Sequence, residues 1–187
     1  MRIISGTLRG RKIPNVYNIK NVAPSSDFLK GVLFNMLGAD IEGRIFCDLY
    51  AGSGNIGFEA ISRGSASCVF VEKSLELISI ITKLSKRFDI LERVEIIKKD
   101  VLRALDEGFL KEYNPDYVFI DPPYNSGLCE KTIEKITANV SGADFHYADN
   151  IIVQHDKREI LSEEYIGYRL IKKKTHGKSI LSFYRVL

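Results

Sequence analysis

An apolar stretch runs into a glycine-rich turn in IFCDLYAGSGNIGFEAIS, residues 45–62. Its first five residues predict a buried strand, and the spacing of apolar residues from Ile56 onward predicts a helix. Between them, Gly52, Gly54 and Gly57 follow the G-x-G-x-x-G spacing. Glycines at these positions let the backbone turn tightly and approach a ligand, and the helix start offers N–H groups to an anionic group. A strand, a glycine turn and a helix in this order predict a Rossmann-like α/β fold, although the motif alone is a weak signal.

The same order of elements continues along the chain. The runs that predict strands are 45–49, 68–71, 94–97, 117–120, 151–154, 168–174 and 179–186. A predicted helix follows each of the first four strands. Such units in series indicate a parallel sheet, because each helix returns the chain to the start of the next strand. The last two runs predict an antiparallel hairpin at the sheet edge.

The start of the chain predicts a small appendage. Two short β-rich runs around Gly6 indicate a hairpin with an arginine-rich face. After Pro24, apolar residues at helical spacing predict a helix that Gly38 ends. We therefore expect residues 1–22 to form a basic N-terminal β-hairpin arm and residues 23–187 to form the α/β domain.

Length and composition indicate a globular protein. The chain has 187 residues, of which 45% are hydrophobic and 27% charged, values that are ordinary for a globular domain. No apolar run is long enough for a membrane span, and the first residues lack a signal-peptide stretch, so we expect a cytoplasmic protein. Cys47, Cys68 and Cys129 form no CxxC pair, so neither a disulfide framework nor a zinc site is indicated, and we expect small core residues and no metal.

Positive charge is concentrated at the two ends of the chain. Segments 1–26 and 168–187 together hold eleven of the 27 Lys and Arg and none of the 24 Asp and Glu, so the middle of the chain carries a net charge of −8. This distribution suggests a polyanionic partner such as a nucleic acid. The alternative is that these residues protect exposed strand edges from association.

Four carboxylates end or follow predicted strands, namely Asp48, Glu72, Asp100 and Asp121. In a parallel sheet those ends share one edge, and open α/β sheets bind ligands there. Glu72 lies 20 residues after Gly52, where a carboxylate can accept the ribose hydroxyls of an adenosine cofactor. An acidic rim repels the pyrophosphate of NAD and favours S-adenosylmethionine, whose net charge is positive. For Asp48 and Asp100, a helix N-cap is the alternative interpretation.

The motif Asp121-Pro122-Pro123-Tyr124 directly follows the predicted strand 117–120. Two prolines cannot continue a strand or a helix, so they predict a rigid turn. The Asp121 carboxylate and the Pro122 carbonyl can accept the two N–H bonds of an aromatic amine. This points the lone pair of the amine at a methyl group, and such positioning supplies much of the rate. Tyr124 can stack on the base that carries the amine.

Together these motifs resemble a known family. The glycine-rich segment followed by Asp-Pro-Pro-Tyr is similar to class I methyltransferases that act on exocyclic amines. The stretches MRIISGTLRGRKI (1–13), PSSDFLKGVLFN (24–35), ISRG (61–64) and GKSILSFY (177–184) resemble the RsmD family over essentially the whole chain. The resemblance implies a seven-stranded, mostly parallel methyltransferase sheet with a C-terminal antiparallel hairpin and a basic N-terminal hairpin. It also implies transfer of a methyl group from S-adenosylmethionine to N2 of one guanine in bacterial 16S ribosomal RNA.

The resemblance further implies residue roles. Asp48 and the Gly52–Gly54 turn would flank the methionine part of the cofactor, Glu72 its ribose and Asp100 its adenine amine. The cofactor-binding set also includes Ala51 and Val101. The catalytic set is Asp121, Pro122, Pro123 and Tyr124, and the RNA-binding set is Arg2, Arg9, Arg11 and Lys12.

Two positions depart from the family pattern, since Ala23 and Phe28 stand where basic residues are usual. Both fall on the expected RNA side. Three alternatives stay open: a DNA adenine-N6 methyltransferase, a non-catalytic RNA-binding ribosome assembly factor, and a Rossmann dehydrogenase. For the leading hypothesis, the expected partner is 16S rRNA, free or in a small-subunit particle, without a membrane, and the protein is expected to be a monomer that acts on a flipped base.

Overall fold

The computed structural model describes residues 1–15, 27–123, 126–138 and 148–187. These residues form an α/β structure around one mixed sheet with the strand order β3-β2-β1-β4-β5-β8-β7-β6. The strands are β1 (Ile45–Leu49), β2 (Ser67–Val71), β3 (Val94–Ile97), β4 (Tyr117–Ile120), β5 (Asn150–Asp156), β6 (Glu164–Tyr165), β7 (Tyr168–His176) and β8 (Ser179–Val186). The helices are α1 (Asp27–Leu37), α2 (Asn55–Ser62), α3 (Leu75–Phe88), α4 (Val101–Asp106), α5 (Phe109–Tyr113) and α6 (Leu128–Ala138), with short 3-10 turns at Gly38–Ile41 and Leu91–Arg93.

The first five strands are parallel and in register at their carboxyl ends. Leu49 pairs with Val71 on one side and with Ile120 on the other, and Val71 pairs with Ile97. The residues that follow these strands therefore emerge at one edge of the sheet, as predicted. We call this the carboxyl edge.

The C-terminal hairpin reaches the same edge. β8 is antiparallel to β5 and β7 is antiparallel to β8, with Ser179 opposite both Asp156 and His176. The turn between β7 and β8 thus lies at the carboxyl edge. The predicted α/β fold with a C-terminal antiparallel hairpin is confirmed.

The sheet has eight strands, not the predicted seven. The additional strand, β6, consists of Glu164 and Tyr165, which pair with Arg169 and Tyr168. Two residues are too short to show the alternation by which a strand is detected in a sequence. The prediction of seven strands was wrong for this reason.

Two buried clusters cover the faces of the sheet. The first packs the N-terminal segment, α1, α2 and α3 against one face, and the second packs α4, α5 and α6 against the other. The helix after the glycine turn lies very close to its neighbouring strand. A Cβ atom added to Gly57 would lie 2.3 Å from the Phe70 ring and 2.6 Å from Cys68 Sγ, so that position of α2 excludes any side chain.

The predicted N-terminal hairpin has one antiparallel bridge, between Arg2 and Lys12, within the described residues. The pairing is this short because acceptors on α2 compete for the backbone donors of the segment. The amides of Ile4 and Ser5 donate to Glu59, at 2.8 and 3.1 Å, and that of Leu8 donates to Ser62 Oγ at 2.9 Å. The amide of Ile3 still donates to the Arg11 carbonyl at 3.0 Å, and that of Ile13 donates to the Met1 carbonyl at 3.1 Å. Donors bound to α2 cannot extend this ladder, so the segment is a short hairpin fastened to α2. The boundary predicted after residue 22 lies outside the described residues.

A buried ion pair joins this segment to the helices. Lys30 of α1 and Glu59 of α2 have fully buried side chains with Nζ and Oε2 3.4 Å apart. Lys30 Nζ also donates to the Arg2 carbonyl at 2.6 Å and to Asn55 Oδ1 at 2.8 Å. Burial lowers the pKa of Lys30, and the charge of Glu59 opposes that shift. One ammonium therefore connects the N-terminal segment, α1 and the first residue of α2.

The three cysteines are buried and unpaired, which confirms their prediction as core residues. Burial raises the pKa of each thiol. Within the described ranges, no helix combines the length and apolarity that a bilayer crossing needs.

Candidate functional site at the carboxyl edge

The glycine-rich turn after β1 uses backbone conformations that favour glycine. Gly52 and Gly54 have φ of 58° and 79°, and Gly54 immediately precedes α2. The amide of Ala51 donates to the Val71 carbonyl at 3.1 Å, and the amide of Gly54 donates to the Ala51 carbonyl at 2.8 Å. The turn is thus anchored to β2 and closed on itself, which positions the start of α2 at the carboxyl edge.

Glu72 is held by backbone donors directly beside this turn. Its Oε2 accepts from the amide of Gly52 at 3.0 Å, and its Oε1 accepts from the amides of Lys73 and Ser74 at 2.9 and 2.8 Å. A carboxylate offers about four acceptor positions, so Oε2 keeps capacity for a further donor. The contact with Gly52 explains why an acid at this spacing adjoins the glycine turn.

Asp48 is a buried acid with an unfavourable environment for its charge. It is 2% exposed, and its Oδ2 accepts from the amide of Gly57 at 2.9 Å. Burial raises its pKa well above the usual range, the Gly57 amide opposes this, and the charges of Asp121 and Glu72 raise it further. The parallel register thus brings three of the four predicted acids to one edge, where Asp121 and Glu72 disfavour ionisation of Asp48.

We predict that Asp48→Asn raises thermal stability and weakens binding of a cationic ligand. A folded-state pKa raised above the ordinary value of 3.8 means that ionisation costs the folded state stability as the pH rises. The variant should melt about 2–4 °C above the parent near pH 7, for a gain of about 1 kcal/mol, and the gap should close towards pH 4. Calorimetric melting from pH 4 to pH 8 measures it. A melting temperature that falls equally at every pH would contradict the prediction.

Asp100 is less buried than Asp48 and is the N-cap of α4, which was one of the two interpretations of this residue. Its Oδ1 accepts from the amide of Leu102 at 3.1 Å, at the start of α4. Its Oδ2 lies 3.0 Å from Lys73 Nζ, and the Lys73 contact lowers the pKa of Asp100. The neighbouring Val101 is buried. Since a lysine neutralises Asp100, the negative charge of the edge lies with Glu72 and Asp121, and with Asp48 whenever that buried carboxyl is ionised.

The Asp-Pro-Pro turn leaves β4 at this edge. Asp121 is half-buried, Pro122 is buried and Pro123 is exposed. Asp121 Oδ2 accepts from Gln154 Nε2 at 3.2 Å, and the Pro123 carbonyl accepts from Ser126 Oγ at 2.6 Å. The first contact fixes the carboxylate and the second fixes the turn. Tyr124 lies outside the described residues, as does Ala23.

The predicted RNA-binding residues Arg2, Arg9, Arg11 and Lys12 are all exposed. Arg11 is the one with a clear structural role, because its guanidinium lies 5.4 Å from the centre of the Phe88 ring and donates to the Arg87 carbonyl at 3.4 Å. It therefore fastens the N-terminal segment to the end of α3. The other three side chains present their charge to solvent.

Three residues that the sequence analysis missed contribute to the site. Gln154 orients Asp121, Lys73 pairs with Asp100, and Lys30 holds Asn55 after the glycine turn. Gln154 ends the apolar run of β5. A polar residue at the end of a buried strand is the one feature of the sequence that could have indicated it. Within the described part of the chain, no group of three or more His, Cys, Asp or Glu is placed to hold a metal ion.

Comparisons with known proteins agree with this geometry. The model of a family described as conserved hypothetical protein 95 matches residues 1–185. The ribosomal RNA small subunit methyltransferase D of Haemophilus influenzae is 33% identical over 183 residues, which cover 95% of this chain and 89% of that protein.

Solved structures share the fold. The hypothetical protein TTHA0928 of Thermus thermophilus has a TM-score of 0.79 at 25% identity and covers 100% of this chain and 99% of its own. An RNA methyltransferase from Salinibacter ruber, in complex with S-adenosyl-L-homocysteine, has a TM-score of 0.64 at 16% identity, covering 88% of this chain and 94% of its own. The second likeness concerns the fold alone.

Proposed function

The chain belongs to the RsmD family, conserved hypothetical protein 95, and on that premise we propose that it methylates N2 of one guanine in 16S ribosomal RNA. The methyl donor we propose is S-adenosylmethionine. The relative from Haemophilus influenzae is named for methylation of small-subunit ribosomal RNA, which supports the substrate class. The observation that carries the proposal is Asp121, held by Gln154 at 3.2 Å, at the edge that also carries the buried Asp48 and the half-buried Glu72.

The residues at the carboxyl edge fit a cationic methyl donor. When bound, the cofactor supplies a methyl group on a sulfonium sulfur. Asp48 would hold its positive methionine part, because a nearby cation relieves the charge repulsion from Asp121 and Glu72 that helps to raise the pKa of Asp48. Glu72 would accept a ribose hydroxyl on Oε2, with its orientation set by the amides of Gly52, Lys73 and Ser74. Asp100 and Val101 would border the adenine.

The Asp-Pro-Pro turn would orient the target amine. The nitrogen lone pair of guanine N2 is delocalised into the ring, so the amine is a weak nucleophile. The Asp121 carboxylate and the Pro122 carbonyl would accept its two N–H bonds and direct the lone pair at the methyl carbon. Gln154 keeps Asp121 in one orientation, and positioning of this kind is a major source of rate. Tyr124 would stack on the guanine.

Extrusion of the guanine from its helix is part of the proposal, since N2 is otherwise engaged in pairing and stacking. Arg2, Arg9, Arg11 and Lys12 would contact phosphates around the extruded base. We further propose that the protein acts as a monomer in the cytoplasm, on 16S rRNA free or in a small-subunit particle.

Transfer of a labelled methyl group tests the proposal. The protein is incubated with labelled S-adenosylmethionine and 16S rRNA from cells that lack the gene, and the modified nucleoside is identified after digestion. We expect label in N2-methylguanosine. A parallel incubation contains DNA in place of the rRNA, and label in N6-methyladenine there would instead assign the adenine enzyme. RNA binding without any transfer would assign the assembly factor.

A further inference from the structure

An aromatic pair is exposed at the carboxyl edge. The rings of Phe28, in the first turn of α1, and His176, at the end of β7, are stacked with centroids 4.0 Å apart and planes 27° apart. Phe28 is 57% exposed, and His176 is exposed as well. A stacked and exposed pair of rings presents an aromatic surface on which a further ring can stack.

Lysines surround the pair on the same face of the sheet. Lys172 pairs with Phe183 and Lys174 with Leu181 across the β7–β8 ladder, and directly paired residues project to the same side. Phe183 and Leu181 belong to the first buried cluster. Lys172, Lys174 and, two residues on, His176 therefore project to the face that carries α1 and the N-terminal segment.

These lysines are available to a ligand. Lys172 and Lys174 are exposed, and neither forms an ion pair with another described residue. Lys173, which projects to the opposite face, lies 3.9 Å from Glu163. The two lysines on the Phe28 side of β7 thus form no ion pair within the described chain, and their positive charge favours an anionic partner.

The Phe28–His176 pair lies at the same edge of the sheet as Asp121, the residue proposed to hold the target amine. β7 lies three strands from β4 in the sheet order, which is about 14 Å at the usual strand spacing. Both His176 and Asp121 are at the carboxyl edge. A single strand of RNA whose target base reaches Asp121 can therefore pass over the pair a few nucleotides away.

We propose that Phe28 and His176 form a platform on which an unpaired RNA base near the target stacks, while Lys172 and Lys174 contact the adjacent phosphates. This inference rests on the proposed function and names a second contact of that same substrate. Aromatic rings with flanking cations are the arrangement by which proteins bind single-stranded nucleic acid. Lysines that only protect an edge strand would not account for an exposed aromatic stack among them.

Binding of a fluorescent RNA tests the platform. The probes are single-stranded RNA oligonucleotides that carry one unpaired guanine, with 2-aminopurine substituted at successive flanking positions, since stacking quenches that base. We expect quenching by the full-length protein at one position. Phe28→Ala and His176→Ala should each raise the dissociation constant for RNA roughly 5- to 150-fold and abolish the quenching. Phe28→Tyr and His176→Phe should retain both the affinity and the quenching.

The salt dependence of RNA affinity distinguishes a stacking contact from a phosphate contact. Phe28→Ala should leave the slope of log affinity against log salt unchanged, while Lys172→Ala and Lys174→Ala should each reduce it by about 0.7, the value for one phosphate contact on a single strand. Ile166→Ala is the matched apolar control, because Ile166 is 65% exposed in the β6–β7 turn at the opposite edge. Lys131→Ala, on the exposed side of α6, is the matched basic control.

Two outcomes would overturn the platform. One is equal RNA affinity in Phe28→Ala, His176→Ala and the Ile166→Ala control after correction for the folded fraction, which would mean that the pair merely anchors the β7–β8 turn. The other is an equal loss in the alanine and the aromatic variants. If the parent protein quenches the probe but methylates no RNA, the platform is supported and the proposed function fails, so the two failures are distinguishable.

Discussion

Replacement of Asp121 by alanine is expected to reduce methyl transfer by roughly 10²- to 10³-fold or more, the usual effect of removing one fixed hydrogen-bonding group from a reacting centre. Affinity for S-adenosylmethionine should change by less than about twofold, because Asp121 addresses the acceptor and Glu72 and Asp48 address the donor. We expect kcat and kcat/KM to fall by the same factor, because the contact contributes most in the transition state, when the amine attacks the methyl carbon. Single-turnover transfer and titration calorimetry measure the two quantities.

Matched variants sharpen this result. Gln154→Leu should cost less than Asp121→Ala, because it removes the side chain that orients the carboxylate at 3.2 Å and leaves the carboxylate itself. Asp106→Ala is the control, since Asp106 ends α4 and is exposed. A parallel loss of cofactor affinity and turnover in Asp121→Ala would remove Asp121 from the amine site.

Glu59→Ala is expected to destabilise the protein by about 3–5 kcal/mol, as is typical when one partner of a buried ion pair is removed. Lys30 would keep a charge in a fully buried position, and the amides of Ile4 and Ser5 would lose their acceptor. The midpoint of urea unfolding near pH 7, with its slope, reports the change.

Two further variants are compared with Glu59→Ala. Glu107→Ala removes an exposed ion pair with Lys99, and should cost less than about 1 kcal/mol. Adding Lys30→Met to Glu59→Ala should recover part of the lost stability, because it removes a buried ammonium whose remaining carboxylate, Asp27 at 3.8 Å, is half-exposed. A Glu59→Ala protein as stable as Glu107→Ala would show that the buried pair contributes nothing to the fold.

Electrostatic reasoning from the sequence was partly right about the acidic edge. It placed Asp48, Glu72 and Asp121 at one edge of the sheet, and the parallel register of β1, β2 and β4 puts them there. It counted Asp100 as a fourth negative charge, whereas Lys73 neutralises it at 3.0 Å. The side-chain direction of Lys73 depends on the packing of α3 and α4, so strand spacing could not reveal it.

The sequence by itself determined the order of strands and helices, the glycine turn and the place where β4 ends in two prolines. These features depend on the periodicity of apolar residues and on backbone preferences, which act over a few neighbours. It also determined that acids meet at one edge, because parallel strands in series leave no other arrangement.

The tertiary structure alone decided the short edge strand, β6, and every contact between distant segments. Gln154 meets Asp121 across 33 positions of the chain, Lys30 meets Asn55 across 25, and Ile4 meets Glu59 across 55. No local pattern encodes such pairs, because burial and the satisfaction of polar groups select them when the whole chain packs. The N-terminal segment shows this most directly, since α2 binds the amides of Ile4, Ser5 and Leu8 and so keeps the pairing within its hairpin short.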